Sequence, residues 1–217
     1  MKGWSDHLMP AQTLVVIGFV GPQGAGKDTA SCLVEELAPG AVHLRVRFTA
    51  PLYEAVEKEG YPPEQKTPER RQRLQEIGGQ MRRKQGEDCL IRQAKATAQR
   101  LLQETEPPPS GIVFLHFPDV RLPREANWVR SGPKFNFTRE LNFLIGLQTS
   151  EQVRSSRLPI QADSQDGLSH TGDITETAPA AIHTDFTLFN DGTIEDLKQQ
   201  VRACLNAIWS YIQAGRV

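Results

Sequence analysis

Five short apolar runs along the chain predict β-strands, and stripes of apolar residues at helical spacing lie between them. The runs cover residues 14–20, 42–47, 112–117, 141–147 and 186–188. The first run is almost continuously apolar, which is typical of a parallel strand buried on both faces. Strands that alternate with helices predict βαβ crossovers. We therefore expect an α/β fold, a three-layer α/β/α sandwich with a parallel sheet in the middle.

The helical stripes lie at both ends of the chain and in a long middle stretch. After the first strand, one helical face carries Ala30, Leu33, Val34 and Leu37. The last helix is predicted to bury one stripe made of Ile194, Leu197, Val201, Cys204, Leu205 and Ile208. Residues 50–102 are predicted to be helical, with Thr67 as the N-cap of a helix that starts at Pro68.

The length of 217 residues suits a single α/β domain with insertions. We expect residues 11–49, 110–148 and 180–217 to form the core of this domain. Residues 50–109 are predicted to be a helical insert. Residues 149–179 are polar and contain few large apolar side chains, which predicts a surface excursion that is a candidate lid.

Composition and charge narrow the classes of partner. The net charge is −1, from 25 basic and 26 acidic side chains, so no global basic field favours a nucleic acid polymer. An anionic ligand must then be held by local arginine clusters. No apolar run is long enough to span a membrane, and the polar start lacks the apolar core of a signal peptide. We expect a cytoplasmic protein whose three scattered cysteines form neither a metal site nor a disulfide.

The segment after the first strand has the sequence of a phosphate-binding loop. Residues 21–27 match the pattern G-x-x-x-x-G-K, between a predicted buried strand and an amphipathic helix. Glycines allow close backbone approach, and successive N–H groups then point into one concavity that holds phosphate oxygens. Lys27 adds a positive charge for the β- and γ-phosphates. The predicted nucleotide contacts are Gly21, Gln23, Gly24, Ala25, Gly26, Lys27, Asp28 and Thr29.

Asp28 stands where serine or threonine normally binds Mg²⁺ in such a loop. Thr29 cannot simply take over, because one residue turns a helical side chain about 100° around the axis. A carboxylate is a good hard ligand for Mg²⁺, directly or through water. We expect Asp28 to help hold the metal, and the alternative is that it only caps the N-terminus of the helix.

Asp119 and Arg121 follow the third apolar run. In open α/β sheets, ligands bind outside the carboxyl ends of the strands, so both side chains are expected to face the same crevice as the phosphate loop. Asp119 is a candidate for binding metal-bound water or for positioning Arg121. Arg121 is a candidate for gripping the phosphate of an acceptor. The alternative is a surface ion pair between the two.

Two further groups of polar residues are candidate ligands. Arg71 and Gln75 are four residues apart on the helix after Thr67, so they share a face. Arg154 and Arg157 lie in the polar excursion. In a kinase, arginines at that position would close over the transferring phosphoryl group and neutralise its charge. For each arginine taken alone, a solvated surface position is the alternative.

Four segments together resemble the deoxynucleoside monophosphate kinases of tailed bacteriophages, which are similar in fold to adenylate and guanylate kinases. The segments are GPQGAGKDT, RQRLQEIGGQ, PDVRLPREA and FNDGTIEDL, in that order along the chain. Leu122 and Arg124 depart from the phenylalanine and asparagine usual in that family. These departures weaken any statement about the base that is accepted, and they leave the class intact.

The resemblance implies a five-stranded parallel sheet in the order 2-3-1-4-5, ATP as phosphoryl donor, Mg²⁺ and frequently a homodimer. It implies that residues 50–109 bind the acceptor, and that Arg71, Gln75 and Arg121 belong to the acceptor site. From its place at the end of the third strand, Asp119 is a further candidate for binding the substrate. The reaction that the resemblance implies is in-line transfer of the γ-phosphoryl group of ATP to a (deoxy)nucleoside monophosphate, in which the protein positions the reactants and neutralises charge.

Two alternatives stay open at this point. One is a kinase of the same loop class that acts on another phosphorylated metabolite, of the dephospho-coenzyme A or phosphomevalonate type. The other is a nucleotide-binding regulatory protein without turnover, although mere nucleotide sensing does not need the arginines beyond the loop. The chain has no N-K-x-D motif for reading guanine, which argues against a GTPase switch.

Overall fold

The helices and strands follow the alternation of the apolar pattern. The computed structural model describes residues 13–62, 67–157 and 178–214. The strands are β1 (Thr13–Val20), β2 (Val42–Arg45), β3 (Ile112–Val120), β4 (Arg139–Gln148) and β5 (Phe186–Phe189). The helices are α1 (Lys27–Leu37), α2 (Ala50–Lys58), α3 (Pro68–Gln85), α4 (Cys89–Glu104), α5 (Pro123–Arg130), α6 (Glu151–Arg157) and α7 (Ile194–Ala214). A 3₁₀ turn covers Ala178–Ala181.

The strands form one parallel sheet in the order β2-β3-β1-β4-β5. This confirms the predicted α/β fold and the predicted strand order. β1 lies at the centre, and all eight of its residues are buried, as its continuous apolar run predicted. Because the strands are parallel, their carboxyl ends meet at one edge of the sheet, where ligands bind in open α/β folds.

Helices cover both faces of the sheet, because successive residues of a strand point to opposite sides. Val15 and Ile17 of β1 pack in one cluster with residues of α1 and α7. Leu14 and Val16 of the same strand pack in a second cluster with residues of α4 and α5. The phosphate-loop helix α1 therefore lies on the same face of the sheet as the last helix.

The helical insert between β2 and β3 has a small apolar cluster of its own, formed by Leu52, Val56, Ile77, Cys89 and Leu90 of α2, α3 and α4. The start of α3 is as predicted, since the Thr67 hydroxyl accepts a hydrogen bond from the Arg70 N–H at 3.3 Å. α4 also belongs to the main core, so the insert is joined to the sheet through α4.

Several elements differ from the prediction. β2 ends at Arg45, whereas β3 continues beyond the predicted residue 117 to Val120. Ile194 was predicted to be in the core, and this is wrong: it is 59% exposed, because the first turn of α7 reaches past the sheet into the cleft described below. The polar excursion begins with α6, and residues 158–177 of the predicted lid lie outside the described residues.

Candidate active site

A cleft of about 630 Å³ lies at the carboxyl edge of the sheet. One part of its lining, the loop side, consists of Gln23, Gly24, Gly26, Lys27, Asp28 and Thr29. A second part, the arginine side, consists of Arg47, Thr49, Tyr53, Pro118, Asp119 and Arg121. The remaining lining residues follow β4 and β5 and are Arg157, Asn190, Gly192 and Ile194. Segments that follow all five strands thus converge on one cleft, as the strand-end argument predicted for Asp119 and Arg121.

The phosphate loop has a backbone that only glycine accommodates at two positions. Gly21 and Gly26 have φ angles of 154° and 94°, in the region that L-residues rarely adopt. A Cβ atom on Gly26 would lie 2.2 Å from the side-chain nitrogen of Asn190, and one on Gly21 would lie 2.8 Å from the Leu147 carbonyl oxygen. The backbone conformation and the close packing of the loop therefore exclude any larger residue at positions 21 and 26.

The loop leads directly into the N-terminus of α1. The N-cap is Gly26, which has no side chain to cap the first N–H groups of the helix. These N–H groups and the positive end of the helix dipole favour an anion. Ala25, by contrast, is fully buried, so any contact that it makes with a nucleotide comes from its backbone.

Two polar side chains fasten the loop to the neighbouring strands. The carbonyl oxygen of Ala25 accepts hydrogen bonds from the Asn190 side-chain amide at 2.8 Å and from the Thr149 hydroxyl at 3.2 Å. Asn190 is buried and follows β5, and Thr149 follows β4. Asn190 was not among the predicted site residues, because its contact with the loop joins segments that are distant in the sequence.

Lys27 lies within the curve of the loop. Its ammonium group donates hydrogen bonds to the carbonyl oxygens of Gly21 at 2.6 Å and Pro22 at 2.7 Å, and the residue is only 7% exposed. A charge held this way is preorganised, because the loop that surrounds the phosphate site also fixes the lysine.

Asp28 projects from the first turn of α1 and forms an ion pair with Arg47. Its side chain is 63% exposed. The N-cap of α1 is Gly26 rather than Asp28, so the structure does not favour the capping alternative. Arg47 was not among the predicted site residues, because it lay inside a predicted strand; the early end of β2 brings it to the cleft.

Asp119 binds the chain that enters α2. Its carboxylate accepts hydrogen bonds from the Phe48 N–H at 3.0 Å, the Thr49 N–H at 2.9 Å and the Thr49 hydroxyl at 2.6 Å. Asp119 is 5% exposed. Its contacts therefore fix the segment that carries Arg47 to the end of β3, and this role was not predicted.

Glu125 fixes the segment that carries Arg121 in the same way. One oxygen of its carboxylate accepts hydrogen bonds from the Arg121 N–H at 2.8 Å and the Leu122 N–H at 3.0 Å. Burial raises the pKa of Glu125 to about 7, partly offset by these two hydrogen bonds, and the charge of Asp119 raises the pKa further. Sequence inspection missed Glu125, although a carboxylate three residues after a helix start is a common sign of such a contact.

The other predicted residues divide between the cleft and its surroundings. Arg157 lines the cleft, whereas Arg154 pairs with Glu151 and reaches the carbonyl oxygen of Gln23 at 3.5 Å. Arg71 is half-buried and Gln75 is exposed on α3, and the cleft lining does not include either residue.

Arg70, rather than Arg71, approaches the cleft from α3. Its guanidinium lies 5.2 Å from the centre of the Tyr53 ring, and Tyr53 lines the cleft. Arg70 is nearly buried and also lies 3.7 Å from Glu57. The cation–π contact with Arg70 thus helps to position the Tyr53 ring at the cleft.

A buried hydrogen-bond chain ties α1 to β3 and β2. His43 must donate from Nε2 to the Ala38 carbonyl oxygen at 2.9 Å, so its Nδ1 accepts from His116 Nε2 at 3.2 Å. His116 Nδ1 then accepts from the Ser31 hydroxyl at 2.8 Å, which in turn accepts from Arg45. Burial is the main reason why the pKa of His116 is lowered to about 3, and the proximity of His43 and of the Arg45 guanidinium lowers it further. Burial also lowers the pKa of His43. Both histidines are thus held neutral.

The residues present fit one mode of Mg²⁺ binding. Within residues 13–62, 67–157 and 178–214, no group of three or more His, Cys, Asp or Glu side chains could hold a metal ion. Mg²⁺ does not need such a cage, because one or two carboxylates together with substrate phosphates usually suffice. The exposed carboxylate of Asp28, beside the phosphate loop, suits that mode, whereas both oxygens of Asp119 already accept hydrogen bonds.

Comparison with known proteins supports the fold. No family model matches the chain, and no curated protein matches it. The protein TT1252 from Thermus thermophilus has 22% identity and a TM-score of 0.52, and the match covers 90% of this chain and 98% of that one. The APS kinase CysC of Mycobacterium tuberculosis, in complex with AMPPNP and APS, has 19% identity and a TM-score of 0.53, covering 91% and 99%. The chain thus shares its fold with this APS kinase.

The helices of the described residues give no sign of a membrane span. None of them is both long enough and apolar enough to cross a bilayer.

Proposed function

We propose that this protein is an ATP-dependent phosphotransferase whose acceptor is a (deoxy)nucleoside monophosphate. The observation that carries the proposal is the cleft itself, in which a phosphate loop and two cationic side chains from other segments, Arg47 and Arg121, line one space. Phosphoryl transfer asks the protein to hold two anionic reactants together and to neutralise their charge. A loop for one phosphate chain with arginines for another meets that requirement.

The loop side supports ATP as the donor. The uncapped N-terminus of α1 and the buried ammonium of Lys27 suit the β- and γ-phosphates. The APS kinase that shares the fold is bound to AMPPNP. Arg157 and Ile194 line the same cleft and would lie beside the rest of the nucleotide, where Ile194 offers an apolar surface.

The arginine side supports a phosphorylated acceptor. Arg121 would grip the phosphate of the acceptor, since a guanidinium binds a phosphate through two parallel hydrogen bonds. Tyr53 offers a ring that suits a base. Together with the resemblance of four segments to the phage deoxynucleoside monophosphate kinases, this favours a nucleotide over other phosphorylated acceptors. Arg71 and Gln75 remain predicted acceptor residues, and they would reach the cleft only if α3 moved towards it.

Asp28 would hold Mg²⁺, which when bound would neutralise charge on the phosphates of ATP. Asp119 would act through a metal-bound water only if its hydrogen bonds to the α2 segment were rearranged. Arg154 and Arg157 would neutralise the transferring group from the α6 side, and Arg157 is the one that already lines the cleft.

A screen of acceptors with ATP and Mg²⁺ tests the proposal. All common ribo- and deoxynucleoside monophosphates would be compared with dephospho-coenzyme A and phosphomevalonate in a coupled assay of ADP release. We expect ADP and a nucleoside diphosphate with at least one monophosphate, and no product with the Lys27→Ala variant. Turnover only with the other metabolites would replace the acceptor class, and nucleotide binding without any turnover would favour a regulatory protein. A homodimer, which the phage family implies, is tested separately by the mass in solution.

A further inference from the structure

Arg47 is a cationic residue of the cleft to which the sequence assigns no role. It lies just beyond the end of β2 and lines the arginine side together with Arg121. Its side chain is 44% exposed and is paired with Asp28 of the loop side. This ion pair joins the two sides of the cleft.

The segment that carries Arg47 is held firmly. The next two residues, Phe48 and Thr49, donate their N–H groups to the buried carboxylate of Asp119. Phe48 is itself fully buried and stacks on Phe117 with a ring separation of 5.1 Å. The backbone at Arg47 is thus fixed, while its guanidinium remains accessible to a ligand in the cleft.

The ion pair between Arg47 and Asp28 reduces the negative charge next to the phosphate loop. A carboxylate in the first turn of α1 places a negative charge beside a loop that binds phosphates, and Arg47 offsets that charge. An exposed ion pair of this kind is weak, so an anion of higher charge density can compete for the guanidinium.

We propose that Arg47 is an acceptor-binding residue. Without the acceptor it is paired with Asp28, and it exchanges this ion pair for the phosphate of a nucleoside monophosphate. Arg47 and Arg121 would then bind that phosphate from two neighbouring strand ends. The inference rests on the proposed function, because it takes the acceptor class from it.

Direct binding tests the role of Arg47 without relying on turnover. Calorimetric titration of the common nucleoside monophosphates, without ATP and without Mg²⁺, would be carried out on the wild type and on Arg47→Gln. We expect Arg47→Gln to weaken binding about 10- to 100-fold, the usual effect of losing a charge-assisted hydrogen bond. Arg47→Lys, which keeps the charge but not the planar fork, should recover part of this loss.

A matched control is Arg100→Gln. Arg100 is an exposed arginine of α4 that pairs with Glu104 and does not line the cleft. The Arg100→Gln variant should bind the monophosphate with the affinity of the wild type. All variants are expected to fold, because the substituted side chains are at least partly exposed.

A double-mutant cycle tests the exchange with Asp28. Under the same metal-free conditions, Asp28→Asn should tighten monophosphate binding about two- to fivefold, because the competing carboxylate is gone. This gain should disappear in the Arg47→Gln background. An equal effect of Asp28→Asn with and without Arg47 would overturn the exchange.

The outcomes separate the inference from the proposed function. Monophosphate binding that Arg47→Gln leaves within about twofold of the wild type would overturn the inference and leave the function standing. Failure of every monophosphate to bind the wild type would refute the acceptor class, and the inference would fall with it.

Discussion

The loop side and the arginine side of the cleft are built in different ways. The loop side is one contiguous segment whose backbone forms the site, with glycines at positions where no other residue fits. The arginine side is assembled from two separate segments, each held through its N–H groups by a buried carboxylate, Asp119 or Glu125. One side of the cleft is thus made from local backbone, and the other from side chains that the tertiary structure brings together.

The two sides also differ in how they respond to pH. On the loop side, α1 is hydrogen-bonded to the neutral chain of Ser31, His116 and His43. On the arginine side, the backbone at Arg121 is held by the carboxyl group of Glu125, whose pKa is raised. A fall in pH is therefore expected to weaken the support of the loop side, and a rise in pH from about 4.5 to 7 to weaken the support of the arginine side.

The largest expected effect is on the loop side. Lys27→Ala should lower phosphoryl transfer roughly 100- to 1,000-fold, because it removes a preorganised charge at the reacting phosphates. The measurement is kcat with the best acceptor of the screen, and circular dichroism would check that the fold survives. Lys198→Ala is the control, since Lys198 pairs with Glu36 outside the cleft. Full activity of Lys27→Ala would refute the assignment of the loop.

A smaller effect is expected on the arginine side. Arg121→Ala should raise the KM for the acceptor about 10- to 100-fold and change the KM for ATP about threefold or less, because the charge-assisted contact is to the acceptor alone. Both constants would be measured on one preparation. Equal losses for the two substrates would mean that the sides do not have separate ligands.

Glu125 variants test how the arginine side is held in place, because Glu125 binds the backbone N–H of Arg121. Glu125→Ala should raise the KM for the acceptor about tenfold, because the N–H groups of Arg121 and Leu122 lose their hydrogen-bond partner. Glu125→Gln keeps an oxygen that can accept and should stay near the wild type. If both variants behaved alike, the charge rather than the hydrogen bonds would be responsible.

The same residue has a pH signature in stability. Its pKa is raised to about 7 in the folded protein, from an ordinary value of 4.5, so the protonated form favours folding. The contribution is complete below pH 4.5 and is lost as pH rises through 7. Glu125→Gln should remove this loss of stability between about pH 4.5 and 7 in denaturant titrations at several pH values.

The smallest expected effect is the acid response of the loop side. The folded pKa of His116 is about 3 against an ordinary 6.5, so the unfolded chain takes up a proton first as the pH falls. The free energy of unfolding should fall by about 1 kcal/mol between pH 7 and pH 5.5 through His116. His116→Gln should flatten this fall, whereas substitution of the exposed His183 should not. An unchanged slope in His116→Gln would contradict the neutral chain.

The alternation of strands with helices and the loop could be predicted because each depends on neighbouring residues, whereas the strand order was implied by the resemblance of four segments to a known family. A continuous apolar run predicts β1, and the spacing of glycines with Lys27 predicts the loop. Arg47 and Asn190 could not be predicted in the same way, because their roles depend on contacts between segments that are distant in the sequence. Glu125 makes a local contact that its position after the helix start could have indicated. The exposure of Ile194 shows the same limit: helical periodicity predicts a face, and only the packing determines where that face leaves the core.

The crystal structure of the complex with AMPPNP is the most direct test of the loop side. The account predicts that the β- and γ-phosphates lie against the N–H groups of residues 21–27, with the Lys27 ammonium beside them. A nucleotide bound elsewhere on the protein, with the loop unchanged and Lys27 still on the Gly21 and Pro22 carbonyl oxygens, would contradict it.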